Sequence, residues 1–188
     1  LCSGTLTLGR GHSTHMRRGT VWAVGMVLLL VLFGIYQTGA WVQVVPTGEY
    51  QRVTLTATDE NGTALATVQA RVADTPAKRV VGLSRTASLG PDEGMWFVYD
   101  HPENHTFVMR NMAFPLDIVF VGADGTVTRV HHASTPPGLG LEGDLERYPG
   151  HGQYVLEVER GWANRTGVEQ GDHVAVRSDG GATTGSTA

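Results

Sequence analysis

The sequence predicts a mainly β domain with two short helices, an α+β fold whose strands form a compact antiparallel barrel-like or curled sheet, preceded by one transmembrane helix. Three observations carry that reading. A stretch free of Asp, Glu, Lys and Arg runs from Gly19 to Gly48. Beyond Glu49 the apolar residues recur mostly with period two, and turn-forming residues divide that region into short runs.

The apolar run from Val21 to Tyr36 continues through Ala40 to Val45, long enough as a helix to cross a hydrocarbon layer of about 30 Å. Trp22, Tyr36 and Trp41 suit the interfaces at its ends. A cleaved secretory signal would have a shorter apolar region, roughly 7–15 residues, before a small-x-small site. Thr38-Gly39-Ala40, followed by bulky Trp41, is a poor version of one. A retained anchor over residues 19–48 is therefore the expectation, with a cleaved signal or a buried core helix as alternatives. Arg17 and Arg18 before the run, against acidic residues after it, place residues 1–18 in the cytoplasm and the domain over 49–177 outside, in a single-pass arrangement in the cell membrane. Residues 1–15 are polar and irregular. Met16-Arg17-Arg18 reads as the biological start, which leaves 1–15 outside the native chain. The one cysteine, Cys2, lies there, so the outer domain has no disulfide or thiol chemistry to draw on.

Charge narrows the partners. All 18 acidic residues lie at or after Glu49 and three of the 14 basic ones precede it, so the part after the apolar run carries a net −7. Nucleic acid, whose phosphates demand a basic face, is excluded as a partner on that ground.

The elements follow in order. Val53 to Thr58 alternates, Asp59-Glu60-Asn61-Gly62 turns, and Ala64 to Val72 alternates again, a hairpin pattern. Thr75 as N-cap, Pro76 at the first helical position and Gly82 at the end predict a short helix. Met95 to Tyr99, His105 to Met109, Leu116 to Val121 and Thr126 to His131 read as strands, with Ala123-Asp124-Gly125 as a turn. Ala133 to Gly152, with Pro136, Pro137, Pro149 and several glycines, reads as a long loop, either a functional lid or a mobile connection. Tyr154 to Glu159 is another strand, Trp162 to Thr166 a helix and Val174 to Arg177 the last strand. Residues 178–188, almost all Gly, Thr and Ser, read as a disordered tail.

Gly82-Leu83 with Arg85, Gly94-Met95-Trp96-Phe97-Val98, Phe107-Val108-Met109-Arg110-Asn111, Pro115-Leu116-Asp117-Ile118-Val119-Phe120, Tyr154-Val155-Leu156-Glu157 and Gly171-Asp172 follow one another across roughly Ala66 to Arg177. In that order these motifs resemble the domain-of-unknown-function 192 family. Ser84 stands where the family usually has Met, Val108 where it has an aromatic residue, and Met112 where it has Thr. The resemblance implies a compact strand-rich domain, often exported or membrane-tethered, of no established activity.

The candidate ligand-binding residues are Glu93, Met109, Asn111, Asp117 and Glu157. Asp117 and Glu157 each sit inside apolar runs, where an ionised carboxylate needs a partner. Brought together they would form a pair able to do acid/base work or hold a cation. Apart, each would be tied to Arg110, a turn amide or solvent. Asn111 precedes Pro115 in a turn and could orient a ligand. Met95 and Met109 read first as core. Histidine supplies no metal motif: Pro102 denies His101 and His105 the helix that would align them, and His131 and His132 alternate across a strand. No metal or cofactor is expected. Asn61, Asn104 and Asn164 begin glycosylation acceptor triplets. The leading expectation is a tethered module binding a small molecule, glycan or envelope component. The alternatives are an accessory domain that holds a membrane or envelope protein, and a carboxylate-dependent hydrolase.

Overall fold

A computed structural model of the chain describes residues 18–136, 141 and 145–177. The expectations for residues 1–15 and for the tail 178–188 fall outside these. The chain divides into two compact units, residues 1–35 and 36–188.

Helix α1 (Arg18–Thr38) contains the window Val21–Thr38, whose mean hydropathy is 2.0 and none of which is buried. That is the length and composition of a membrane span or of a signal sequence. The helix stops at Gly39, which takes the left-handed backbone at φ 67° that commonly closes helices. A side chain does not fit at that position: a Cβ on Gly39 would lie 2.6 Å from Arg110 Cδ.

The next residues, Ala40–Val44, form a 3-10 turn with Val42 wholly buried. Arg85 donates from Nε to the Val42 carbonyl at 3.1 Å and from Nη2 to the Val45 carbonyl at 2.7 Å. Asn111 Nδ2 donates to the Gly39 carbonyl at 2.9 Å. The apolar run expected to act as one helix over 19–48 is thus two things. Its helix ends at Thr38, and the residues from Gly39 to Val45 are part of the second unit, where Arg85 and Asn111 satisfy the Gly39, Val42 and Val45 carbonyls.

The second unit is built from β1 (Arg52–Thr58), β2 (Ala64–Ala73), α2 (Pro76–Val81), β3 (Glu93–Phe107), β4 (Leu116–Val121), β5 (Val127–Ala133), β6 (Tyr148–Glu159), α3 (Trp162–Thr166) and β7 (His173–Val176). The seven strands lie in the order β5-β4-β6-β3-β2-β1-β7. The sheet curls until its two edge strands touch at one end. Thr126 bridges His173, Val127 N donates to Asp172 O at 2.7 Å and Val174 N to Gly125 O at 2.8 Å.

One pair departs from the expected antiparallel sheet, since β2 and β3 run parallel. A hairpin cannot join parallel neighbours, so the chain crosses over through α2. The helix starts as its residues dictate. Thr75 Oγ1 accepts from Lys78 N at 3.3 Å, Pro76 follows it, and Gly82 closes the turn at φ 48°.

Alternation buries both faces of the sheet. Trp96, Val119, Val121, Leu156 and Val158 join Trp162 of α3 in one core. Met95, Phe97, Ile118, Phe120 and Val155 join Leu83 and Met109 in the other. The period-two register thereby decides which face each carboxylate on β4 and β6 enters.

Two strands are longer than expected. β3 runs unbroken across Pro102, where two strands were read, with its register to β6 shifting between Val98 and Glu103. Pro tolerates such an irregularity because the missing N–H is not needed there. β6 begins at Tyr148, inside the segment read as a loop, and its first residues pair with Glu103 to Phe107.

Candidate functional site

On the face covered by α2, a cavity of about 220 Å³ opens between α2, the segment Gly82-Leu83-Ser84, β3 and the 3-10 turn. Its apolar walls are Trp41, Val81, Leu83, Phe97, Phe107 and Met112, and its polar groups are Arg79, Ser84, Tyr99, Thr106, Arg110 and Glu157. Several of these belong to the sequence motifs singled out above: Gly82-Leu83, Phe97, Phe107-Val108, Arg110 and Glu157 converge here from separate stretches of chain.

Glu157 reaches the cavity from the centre of the sheet. It stands opposite Met95 on β3 and Ile118 on β4, and only 7% of it is exposed. No donor among the described residues hydrogen bonds to its carboxylate. Burial pushes its pKa up to about 8. At neutral pH the site therefore holds a protonated carboxylic acid, a hydrogen-bond donor set in an apolar wall.

The remaining polar groups come from other elements of the cavity wall. Arg79 is half-buried, donates from Nη1 to Val98 O at 2.6 Å and to Asp74 O at 3.2 Å, and its guanidinium lies 4.8 Å from the Tyr99 ring centroid. Arg110 lies 5.9 Å from the Trp41 ring centroid. Ser84 Oγ donates to Arg110 O at 3.0 Å. Tyr99 stacks on His105 at 3.6 Å, and burial pushes its phenol up to about 12, so it stays a neutral donor.

The other sequence candidates lie elsewhere. Asp117 pairs with Val158 on β6, one register step from Glu157, so the two carboxylates project from opposite faces of the sheet. The expected pair does not form. Asp117 is wholly buried under α3. Its Oδ2 accepts from Gly161 N at 3.0 Å and Ala163 N at 2.9 Å, and its Oδ1 lies 2.7 Å from His132 Nδ1. It ties the start of α3 to β4 and β5. Glu93 lies in a separate depression with Arg52, Arg71 and Thr86, where it accepts from Gly90 N at 3.1 Å. Met109 is buried in the core beside Phe97 and Phe120. Asn111 takes a left-handed backbone, φ 54°, and holds the Gly39 carbonyl. Of the five candidates only Glu157 lines the cavity. Sequence reading missed Arg79, Tyr99 and Trp41, each of which looks like an ordinary helix, strand or interface residue in its own segment.

His131 and His132 diverge as the strand alternation predicts, His131 Nε2 lying 2.8 Å from Pro149 O. Among the described residues no three His, Cys, Asp or Glu side chains converge as metal ligands. Asn61, Asn104 and Asn164 are all exposed, with Asn104 Oδ1 3.1 Å from His151 Nδ1.

The model of the domain-of-unknown-function 192 family (DUF192, described as Uncharacterized ACR) matches residues 56–176. The chain belongs to that family. Several solved structures resemble the DUF192 chain, two of which follow. A candidate transcription regulator from Sinorhizobium meliloti 1021 superposes with a TM-score of 0.62 at 26% identity, over 70% of this chain and 98% of that one. A protein of unknown function from Novosphingobium aromaticivorans DSM 12444 gives 0.60 at 35% identity, over 69% of this chain and 89% of that one. No curated protein matches the chain.

Proposed function

We propose that this DUF192 protein is a membrane-anchored, extracytoplasmic binding module for a small molecule, and that the Glu157 cavity is its site. The observation that carries the reading is the unpartnered Glu157. Its carboxyl lines the cavity without a hydrogen-bond partner among the described residues, and its low exposure makes the charged form costly. A ligand that completes its hydrogen bonding offsets that cost, and a concave cavity with a few convergent polar groups is the usual form of a ligand site. The volume, about 220 Å³, suits a compound of roughly seven heavy atoms, taking about 30 Å³ per water-sized group. A two-carboxylate hydrolase loses its basis, since Asp117 and Glu157 lie on opposite faces of the sheet.

Anchoring rests on α1, its unburied apolar window and the Arg17-Arg18 pair before it. Protease added outside intact cells is expected to remove the residues after 49 and spare the N-terminus; a soluble cytoplasmic domain would refute this. The site is tested by a fragment screen on the full chain in detergent micelles, read by ligand-observed NMR. Val80→Trp supplies the control, because Val80 lines the cavity yet is exposed on α2 and its replacement fills the opening. Ligands whose binding is lost in Val80→Trp support the site. If every ligand found binds Val80→Trp equally well, the cavity is not the site.

A further inference from the structure

We propose that the depression between β1, β2 and the segment joining α2 to β3 is an anion site that takes a phosphate group, held by the Arg52 and Arg71 guanidiniums with Thr86 and Ser88 as further donors. It shares no lining residue with the Glu157 cavity. The register of the sheet brings the two charges together. β1 and β2 are antiparallel, and Arg52 stands directly opposite Arg71. One step along, Val72 N donates to Gln51 O at 2.8 Å, so Arg52 and Arg71 occupy a non-hydrogen-bonded position of the ladder, where opposed side chains stand closest. The next pair on that face shows the approach, with Gln69 Nε2 donating to Thr54 Oγ1 at 3.0 Å. Like charges set directly opposite each other are destabilising. Among the described residues no carboxylate pairs with either arginine, and Arg52 makes no hydrogen bond. Both side chains line one concave depression of about 210 Å³, together with Thr86, Ser88 and Glu93.

The donor set matches a tetrahedral oxyanion. Arg71 is half-buried and donates from Nη2 to Thr86 Oγ1 at 2.9 Å, while its Nε and Nη1 protons have no acceptor among the described residues. Arg52 is exposed and its whole guanidinium is uncommitted. Thr86, accepting from Arg71, keeps its own hydroxyl proton to donate, and the Ser88 hydroxyl has no partner among the described residues. One guanidinium fork satisfies a carboxylate, whereas two forks and two hydroxyls suit the several oxygens and higher charge of a phosphate group. Glu93 is the one carboxylate in the lining. Its Oε2 accepts from Gly90 N at 3.1 Å, and it pairs with neither arginine, so the depression keeps a positive balance. At about 30 Å³ per water-sized group, the volume holds a phosphate and the first atoms of an ester. The same group is carried by a free ion, a small phosphate ester or a lipid headgroup.

The probe is inorganic phosphate, titrated into the full chain in an uncharged, phosphate-free detergent and followed by phosphorus NMR line width and by melting temperature. Chloride is exchanged for phosphate at constant ionic strength, which holds general screening fixed. Arg52→Gln removes an exposed side chain with no partner, so the fold does not depend on it, and phosphate affinity should fall about 10-fold or more. Arg71→Gln should weaken binding at least as much. Glu93→Gln removes the one like charge and should tighten phosphate several-fold. In chloride alone Arg52→Gln should melt no lower than the parent, because it relieves the repulsion, and added phosphate should reverse that order. A response to phosphate no larger than the response to chloride at equal ionic strength, or equal phosphate binding by the parent and Arg52→Gln, overturns the assignment. Phosphatidylcholine nanodiscs with and without phosphatidic acid separate the sources. If phosphatidic acid abolishes the Arg52-dependent binding of added phosphate, the site is supported and a lipid supplies the group; if that binding is undiminished, the site is supported and its ligand is a soluble phosphate.

Discussion

Replacing Glu157 by Gln should stabilise the protein, by an amount that depends on pH. The glutamine amide has nearly the shape of the protonated acid, so the change removes ionisation and little else. In the folded domain burial raises the carboxyl from 4.5 to about 8. Between those values the folded chain keeps a proton that the unfolded chain has lost, so stability falls as pH rises through the interval. At pH 7 the unfolded-state carboxyl has been ionising over roughly 2.5 pH units, at about 1.4 kcal/mol each, a loss of about 3 kcal/mol. Glu157→Gln escapes that loss. The two proteins should be nearly equal in stability at pH 4.5, and the variant about 3 kcal/mol ahead at pH 7. Urea melts of both full chains in the same detergent, followed by tryptophan fluorescence at pH 4.5, 6 and 7, measure the gap. A gap that stays constant across this range would show that burial does not raise the Glu157 carboxyl, a parent protein that gains stability relative to the variant as pH rises would show that Glu157 is ionised and paired, and either would refute the reasoning.

Further outcomes can be checked by thermal or urea denaturation alone. Asp117→Ala leaves the amides of Gly161 and Ala163 and the His132 ring without their shared acceptor, and should cost about 3–5 kcal/mol; a loss below 1 kcal/mol would mean that water replaces the carboxylate. Gly39→Ala forces a left-handed backbone on a residue with a Cβ and drives that atom against Arg110, so a loss of about 2–3 kcal/mol is expected. Gly150→Ala places a methyl within the van der Waals envelope of the Phe120 ring and should cost about 1–3 kcal/mol by overpacking. Thr75→Ala removes only the N-cap of α2 and should cost about 1 kcal/mol.

The parts of the fold that were legible in the sequence are those governed by local rules. β1, β2, β4, α2 and α3 follow from alternation, Thr75, Pro76 and flanking glycines, each of which acts within a few residues. β6 failed at its start because Pro149, Gly150 and Gly152 spell a loop in isolation. Those glycines are strand residues whose missing side chains make room for the Phe120 ring and the Val121 carbonyl, a demand made by a distant strand. The break read at Pro102 failed for the same reason, since the partner strand carries the pairing past it. The candidate site divides similarly. Glu157 could be singled out because a carboxyl in Val155-Leu156-Glu157-Val158 has no local explanation. Its separation from Asp117 depends on the register between β4 and β6, and its company with Arg79, Tyr99 and Trp41 on a crossover that no local pattern encodes.

The packing of the 3-10 turn has a practical consequence for anyone who wishes to work with the outer part as a soluble fragment. The sequence invites a cut at Glu49, where charge begins, and that cut discards Gly39, Trp41, Val42 and Val45. It would strip Arg85 and Asn111 of their acceptors and take one aromatic wall off the cavity. A fragment begun at Gly39 keeps these residues and drops the most hydrophobic part of the chain. A ligand screen run on the shorter fragment would return a negative result that says nothing about the intact protein.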